Sequence, residues 1–345
     1  MLWSQTRFSL KAKRSFCGKY SPFWRKSLIE NRLIYGLASL TLSLTGAVFR
    51  ILPDAANRGL GRWIGLAGFR LSTRRREIAL NNLKHAMGEE LSSDQRETLA
   101  RESFANLGIG LAEFFKLPSL DAEKLAELVE FTGEENLKSA LLEGKGVLVL
   151  SAHLGNWDLL AASLAAKGFP ISLITKVSRS SALNRVWMGY RKAAGIKIFI
   201  SSGSMGGILR QLKSGGIVGF VLDQNTLRED GVFVPFFGKA ACTLSSLAIL
   251  ARRTRAPVIP VYTFREGGRH RVIVQGPIVT PDIEDRDLDV LKRTEAYTSW
   301  TEKVIREHPE QWTWLHDRWK TRPVDDSDER VPSSRFQVPG QQDDV

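Results

Sequence analysis

Residues 151–160, SAHLGNWDLL, hold the two side chains best suited to chemistry, His153 and Asp158. The apolar run VLVLS at 147–151 reads as a buried strand, and the Ala-rich stretch from Trp157 reads as a helix. His153 therefore falls just past the carboxyl end of a strand, where open α/β sheets place their ligands. Within one regular helix, five residues of separation would point the two side chains about 140° apart. Gly155 and Asn156 permit a tight turn instead, so the chain can fold back and bring the Asp158 carboxylate to the imidazole. The carboxylate would then fix the tautomer and stabilise the imidazolium. That is the equipment of a general base acting on a hydroxyl. Spacing alone does not decide the matter, because a strand-end His followed by a helix-capping Asp gives the same pattern by chance.

The elements that must position this pair follow a clear rhythm. After Gly144, strand-like runs at 147–151, 171–175, 196–200, 217–223 and 258–264 alternate with helical stretches at 157–167, 182–194, 204–213 and about 244–254. Repeated strand-then-helix with nearly continuous apolar strands predicts an α/β fold, a mostly parallel central sheet flanked by helices. Residues 271–276, RVIVQG, read as an antiparallel strand. Upstream, residues 92–116 read as a helix capped by Ser92 or Ser93, and 121–143 hold two shorter helical patterns. Residues 308–316 read as a Trp-rich packing or interface segment.

The bulk numbers narrow the setting. The chain has 345 residues and a net charge of +12, which favours an anionic partner: nucleic acid, a membrane surface or a phosphorylated substrate. Two cysteines, Cys17 and Cys242, make no disulfide framework and point to a reducing compartment. Residues 1–32 form a basic leader with the single acid Glu30, and residues 33–49 carry no charge at all. That uncharged run is short for a full span but long for a chance apolar stretch. It predicts an N-terminal membrane-associated helical segment at 33–52, spanning or lying in the interface, with its basic leader on the cytoplasmic side. The main domain is expected at 53–323 and a disordered tail at 324–345.

The surroundings of His153 carry a resemblance. HLGNWD matches the H-x4-D/E motif of lysophospholipid-type acyltransferases. More narrowly, the chain resembles the lipid A biosynthesis (lauroyl/myristoyl) acyltransferase family over about residues 33–323. The likeness rests on RREIALNNLKHAM (75–87), SFANLGIGLAEFF (103–115), GKGVLVLSAHLGNWDLLA (144–161), the long block at 221–262 beginning VLDQ, and HPEQWTWLHDRWKTRP (308–323). It implies His153 as base and Asp158 as its orienting acid. It further implies Arg191 as a substrate-facing arginine, with Arg185 competing, and Asp223 and Gln224 of the third block as substrate-binding residues together with Gly155 and Asn156, while Thr243 matches the threonine after that block. Related enzymes carry an arginine where this chain has FISSGSMGG (199–207), leaving Lys197 or Arg210 as replacements for phosphate binding.

The activity implied is transfer of an acyl chain from a thioester, which is already activated, to a lipid hydroxyl without a covalent enzyme intermediate. Backbone N–H groups near Gly155 and Asn156 would meet the oxyanion. The implied donor is acyl carrier protein, with coenzyme A left open. The acceptor is a lipid A precursor at the cytoplasmic face of the inner membrane, with another glycolipid or a lysophospholipid left open. Neither a cofactor nor a metal is expected, since the five histidines form no ligand cluster.

Other classes fit less well. Ser204 lies in SGSMG, without the first glycine of a nucleophile elbow, and GLGRWIG (59–65) lacks the spacing and setting of a dinucleotide fingerprint. No nucleic-acid module is evident. A non-catalytic basic membrane-binding protein remains the competing class.

Overall fold

The computed structural model describes residues 40–176, 181–201 and 203–323. The basic leader 1–32, the first part of the expected anchor (33–39) and the tail 324–345 lie outside the described residues.

The described chain opens with α1 (residues 40–51), α2 (Asp54–Leu71), α3 (Thr73–Met87) and α4 (Ser93–Lys116). Ser92 caps α4 in a capping box, its hydroxyl accepting from the Gln95 N–H while the Gln95 side chain accepts from the Ser92 N–H. Two elements cross almost backbone to backbone. A Cβ on Gly65 of α2 would lie 2.1 Å from the Phe104 carbonyl oxygen of α4, so only glycine permits the approach. This fixes α4, whose far end reaches the site.

The body then runs α5 (Ala122–Leu128), β1 (Val129–Thr132), α6 (Glu134–Leu142), β2 (Val147–Ser151), α7 (Trp157–Ala166), β3 (Ile171–Thr175), α8 (Ser181–Ala193), β4 (Lys197–Ile200), α9 (Met205–Lys213) and β5 (Ile217–Val221). Next come β6 (Gly231–Phe236), β7 (Lys239–Leu244), α10 (Ser246–Thr254), β8 (Val258–Glu266), β9 (Arg269–Val274) and α11 (Arg286–Glu307). The main sheet has the order β1-β9-β8-β2-β5-β3-β4. Strands β8, β2, β5, β3 and β4 are mutually parallel, and β9 is antiparallel to β8. Every residue of β2 is buried, which is why its sequence is continuously apolar rather than alternating.

The mostly parallel sheet and the antiparallel β9 match the reading from sequence. Three features differ from it. Strand β1 interrupts the region read as two short helices, and α11 was not anticipated. The block GVFVPFFGKAACTL forms a separate β6–β7 hairpin whose turn residues Phe237 and Gly238 have φ of 50° and 70°. A two-residue hairpin loop of this hand needs positive φ at both positions.

After α11 the chain returns as a strap through the centre of the molecule. Trp312 and Trp314 are fully buried. The Ser103 hydroxyl donates to the Trp312 carbonyl at 2.6 Å, and Asn82 Nδ2 donates to the carbonyls of Trp314 (2.7 Å) and His316 (2.6 Å). Leu154 and Trp312 form an antiparallel bridge.

Helix α1 packs Phe49 against Phe115, rings stacked at 5.6 Å, and leaves Leu40, Leu44, Val48 and Ile51 exposed on its other side. Among the described residues no helix is long and apolar enough to cross a membrane.

Candidate active site

Strands β2 and β5 are parallel neighbours, with Ser151 opposite Val221. Two residues beyond each of these positions stand His153 and Asp223. Equal overhang from paired strands brings them together: His153 Nδ1 lies 2.8 Å from Asp223 Oδ1, and the His153 backbone N–H donates to Asp223 Oδ2 at 2.7 Å. The Trp312 indole N–H donates to the same Oδ2 at 2.7 Å. The carboxylate, wholly buried as a side chain, thus has three donors.

The electrostatics follow from this geometry. Burial alone would raise the Asp223 pKa. The His153 charge and hydrogen bond and the Trp312 and His153 N–H donors outweigh it and bring the value down to about 2. Burial alone would lower the His153 pKa, but the Asp223 charge and hydrogen bond, helped by the Asp158 charge, hold it above the ordinary imidazole value. A neutral ring that donates from Nδ1 carries its lone pair on Nε2. The ring lies edge-on to Trp157, centroids 4.9 Å apart, with 19% of its side chain exposed.

The predicted contact between His153 and Asp158 is not the one the structure makes. Helix α7 starts at Trp157, so Asp158 already sits in its first turn, directed toward β3 and α8. There its Oδ1 accepts from Arg191 Nε at 2.6 Å, and Arg191 NH1 donates to Thr175 Oγ1 at 2.9 Å. Arg191 is only 8% exposed, a buried partner of Asp158 rather than the open arginine the resemblance implied. Arg185 is exposed.

The turn itself is rigidly held. Gly155 has φ of +58°, and a Cβ there would lie 2.4 Å from the Thr263 carbonyl oxygen. Its N–H donates to the Gln311 carbonyl at 3.0 Å, so the oxyanion donor expected at Gly155 is already committed. Asn156 caps α7, its Oδ1 accepting from the Leu159 N–H at 3.0 Å, and its Nδ2 donates to Glu113 Oε2 at 2.9 Å. Both ends of that amide are engaged inside the protein, which turns the expected substrate contact into a structural one. Glu113 in turn accepts from Arg265 at 3.1 and 2.8 Å and lies 3.2 Å from His270 Nε2. Burial works against the Glu113 charge, but Arg265 and His270 overcome it and hold the carboxyl well below the usual carboxylate range.

The third block splits in function. Asp223 joins His153, and Gln224 beside it is half-buried. The Asn225 N–H donates to His316 Nε2 at 3.0 Å, which makes that nitrogen an acceptor and the ring neutral, and burial lowers its pKa. Thr243 is buried and accepts from Arg318 NH2 at 2.5 Å. Lys197, a candidate for phosphate binding, begins β4 at the sheet end opposite His153 and donates to Gln211 Oε1 at 2.8 Å. Arg210 is exposed on α9.

Sequence reasoning missed Trp312 and Glu113 as site residues. Trp312 had a signal, the tryptophan-rich segment 308–316, but a packing role accounted for it equally well. Glu113 had none: one carboxylate on an amphipathic helix looks solvated.

A His–Asp pair at the carboxyl ends of two parallel strands, its carboxylate wholly buried and its imidazole partly open, makes the end of this α/β sheet the candidate active site. The family of bacterial lipid A biosynthesis acyltransferases matches residues 28–321, and the chain belongs to it. It is therefore an acyltransferase. The chain is 27% identical over 271 residues to the lipid A biosynthesis palmitoleoyltransferase of Escherichia coli (78% of this chain, 86% of the relative). It is 26% identical over 319 residues to the lipid A biosynthesis lauroyltransferase of the same organism (90% and 98%). A phosphatidylinositol mannoside acyltransferase of Mycolicibacterium smegmatis is 28% identical over 286 residues (81% and 90%).

Proposed function

We propose that the protein transfers a fatty acyl chain from a thioester, carried by acyl carrier protein, to a hydroxyl of a lipid A precursor at the cytoplasmic face of the inner membrane. The observation that carries the mechanism is the 2.8 Å contact between His153 Nδ1 and Asp223 Oδ1. Asp223 holds the ring so that Nε2 takes the proton from the acceptor hydroxyl. The oxygen attacks the thioester carbonyl, the tetrahedral intermediate collapses, and the thiolate leaves and takes up the proton from His153. The activated donor makes a covalent acyl-enzyme unnecessary.

In this reading Asp223 orients the base and Asp158 adds negative charge near it, held in place by Arg191. Gln224 borders the pair. The amino end of α7, at Trp157 and Asp158, replaces Gly155 as the place for oxyanion donors.

A second acceptor class, another glycolipid, is favoured by the likeness to a phosphatidylinositol mannoside acyltransferase, comparable in identity and coverage to the lipid A relatives. The test is an in vitro assay with radiolabelled acyl-acyl-carrier protein and a panel of lipid acceptors. Transfer to a lipid A precursor by wild type, lost in His153→Ala, supports the reading. Transfer only to another glycolipid keeps the mechanism and replaces the acceptor. Equal transfer by wild type and His153→Ala overturns the mechanism.

A further inference from the structure

Between Asp158 and Asp223 the chain carries no acid: residues 159–222 hold nine Lys and Arg and not one Asp or Glu. The fold gathers this run at one end of the sheet as α7, β3, α8, β4, α9 and β5, with β4 the edge strand. Two of the cations are balanced by acids from outside this run, Arg191 by Asp158 and Lys167 by Glu134. Lys176, Arg185, Lys192, Arg210 and Lys213 are exposed, and among the described residues none of them pairs with a carboxylate.

Uncompensated charge on this scale attracts either an acidic protein or an anionic bilayer. Helix α1 separates the two. It lies directly against α8: Val186 and Tyr190 pack on the Phe49–Phe115 cluster, and Arg50 NH1 donates to the Tyr190 hydroxyl at 3.4 Å. Its opposite side presents Leu40, Leu44 and Val48, one per turn, with Ile51 beyond them at 81% exposure. A soluble acidic partner needs the cations but gives such a stripe nothing to enter. A bilayer uses both: the apolar stripe enters the acyl boundary while the cations meet headgroup phosphates.

We propose that α1 and the α8 side of the acid-free lobe form one face that docks on an anionic bilayer, with lipid phosphates against Lys176, Arg185 and Lys192. The inference rests on the membrane placement proposed above and adds which surface meets the lipid. The other half of the lobe supplies an internal control. Helix α8 packs Trp187 and Tyr190 on the core beside α7, whereas α9 packs Ile208 and Leu212 on the core beside α10, across the sheet. Arg210 and Lys213 carry the same charge on the far side.

The test is cosedimentation of the full chain with vesicles of phosphatidylcholine, alone or mixed with phosphatidylglycerol. Each cation at the surface is worth a factor of about five in partitioning, so the triple variant Lys176→Glu, Arg185→Glu, Lys192→Glu should lose well over tenfold in binding to the anionic vesicles. The pair Arg210→Glu, Lys213→Glu should bind like wild type. The milder triple glutamine variant, checked by circular dichroism, guards against loss by misfolding. Wild type that pellets with neither vesicle removes the membrane placement itself. Wild type and triple variant pelleting equally with anionic vesicles overturns the face. Retained vesicle binding together with a raised KM for the acyl carrier protein substrate makes the lobe a protein dock and also overturns it.

Discussion

His153 and Asp223 face each other across two paired strands, Nδ1 to Oδ1 at 2.8 Å, although seventy positions apart in the chain. The register of β2 against β5 sets this contact, so the imidazole and its carboxylate are fixed by the sheet core rather than by a local loop. Asp158, five positions away, serves Arg191 instead.

Replacing Asp223 by Asn should therefore lower kcat on the order of 10³–10⁴-fold, the scale seen when a base loses its orienting carboxylate. The pH profile gives the sign. The base acts neutral, so activity falls as pH drops through the His153 pKa, and in the wild type that limb lies above the ordinary 6.5. Without the Asp223 charge, burial governs and the limb should move to lower pH while kcat falls. A limb that stays put in Asp223→Asn would assign the tuning to another group.

The Trp312 indole is the one side-chain donor to Asp223 besides His153 among the described hydrogen bonds. Trp312→Phe keeps most of the ring volume and deletes that N–H. A hydrogen bond to a charged group is worth about 1.5–3 kcal/mol, so the fold should lose stability on that scale in urea denaturation. KM should hold, since the indole touches the acid and not the substrate. A less solvated carboxylate grips the imidazolium more tightly, so the acid limb should shift up, opposite to Asp223→Asn. A loss of stability with an unmoved limb would mean Trp312 only packs.

Much of this was legible in the sequence because central parallel strands are apolar on both faces and bounded by glycine. VLVLS and IVGFV announced β2 and β5, and with them the carboxyl ends that carry His153 and Asp223. Strand order was not legible, since no residue of β2 states that β5 lies beside it, and so the nearer acid, Asp158, was given the role of the distant one. The β6–β7 hairpin was hidden by Phe237, a turn residue at positive φ that gives no glycine or asparagine signal there. The strap at 308–316 reads as a packing or interface segment because its tryptophans do pack, and only the folded chain brings one indole N–H to Asp223.

The Asp158–Arg191 pair should behave as a coupled unit. Both side chains are at most 10% exposed, and breaking a buried ion pair from one side costs about 3–5 kcal/mol. Asp158→Asn and Arg191→Met should each destabilise on that scale in urea denaturation. The double variant should cost less than the sum, with a coupling of roughly 0.5–3 kcal/mol. Arg191→Lys should not restore activity, because one guanidinium spans Asp158 and Thr175 at once and an ammonium offers no such planar fork. Additive single effects would show that the pair is two independent contacts.

Glu113 is the hub that connects α4 to the His153 turn through Asn156, with Arg265 and His270 on its two oxygens. Glu113→Gln keeps the shape, removes the charge and leaves Arg265 buried without its counter-ion, which should cost about 3–5 kcal/mol near neutral pH. The folded-state pKa of Glu113 is depressed below its ordinary 4.5. Its contribution is therefore present above that ordinary value and is lost as pH falls through the depressed one. The stability gap between wild type and Glu113→Gln should then be full near neutral pH and shrink progressively in acid below the ordinary carboxylate range. Denaturant melts of both proteins across that range measure it. A gap that stays constant with pH would assign the loss to packing, whereas a closing gap ties the rigidity of the His153 turn to one buried charge on the neighbouring helix.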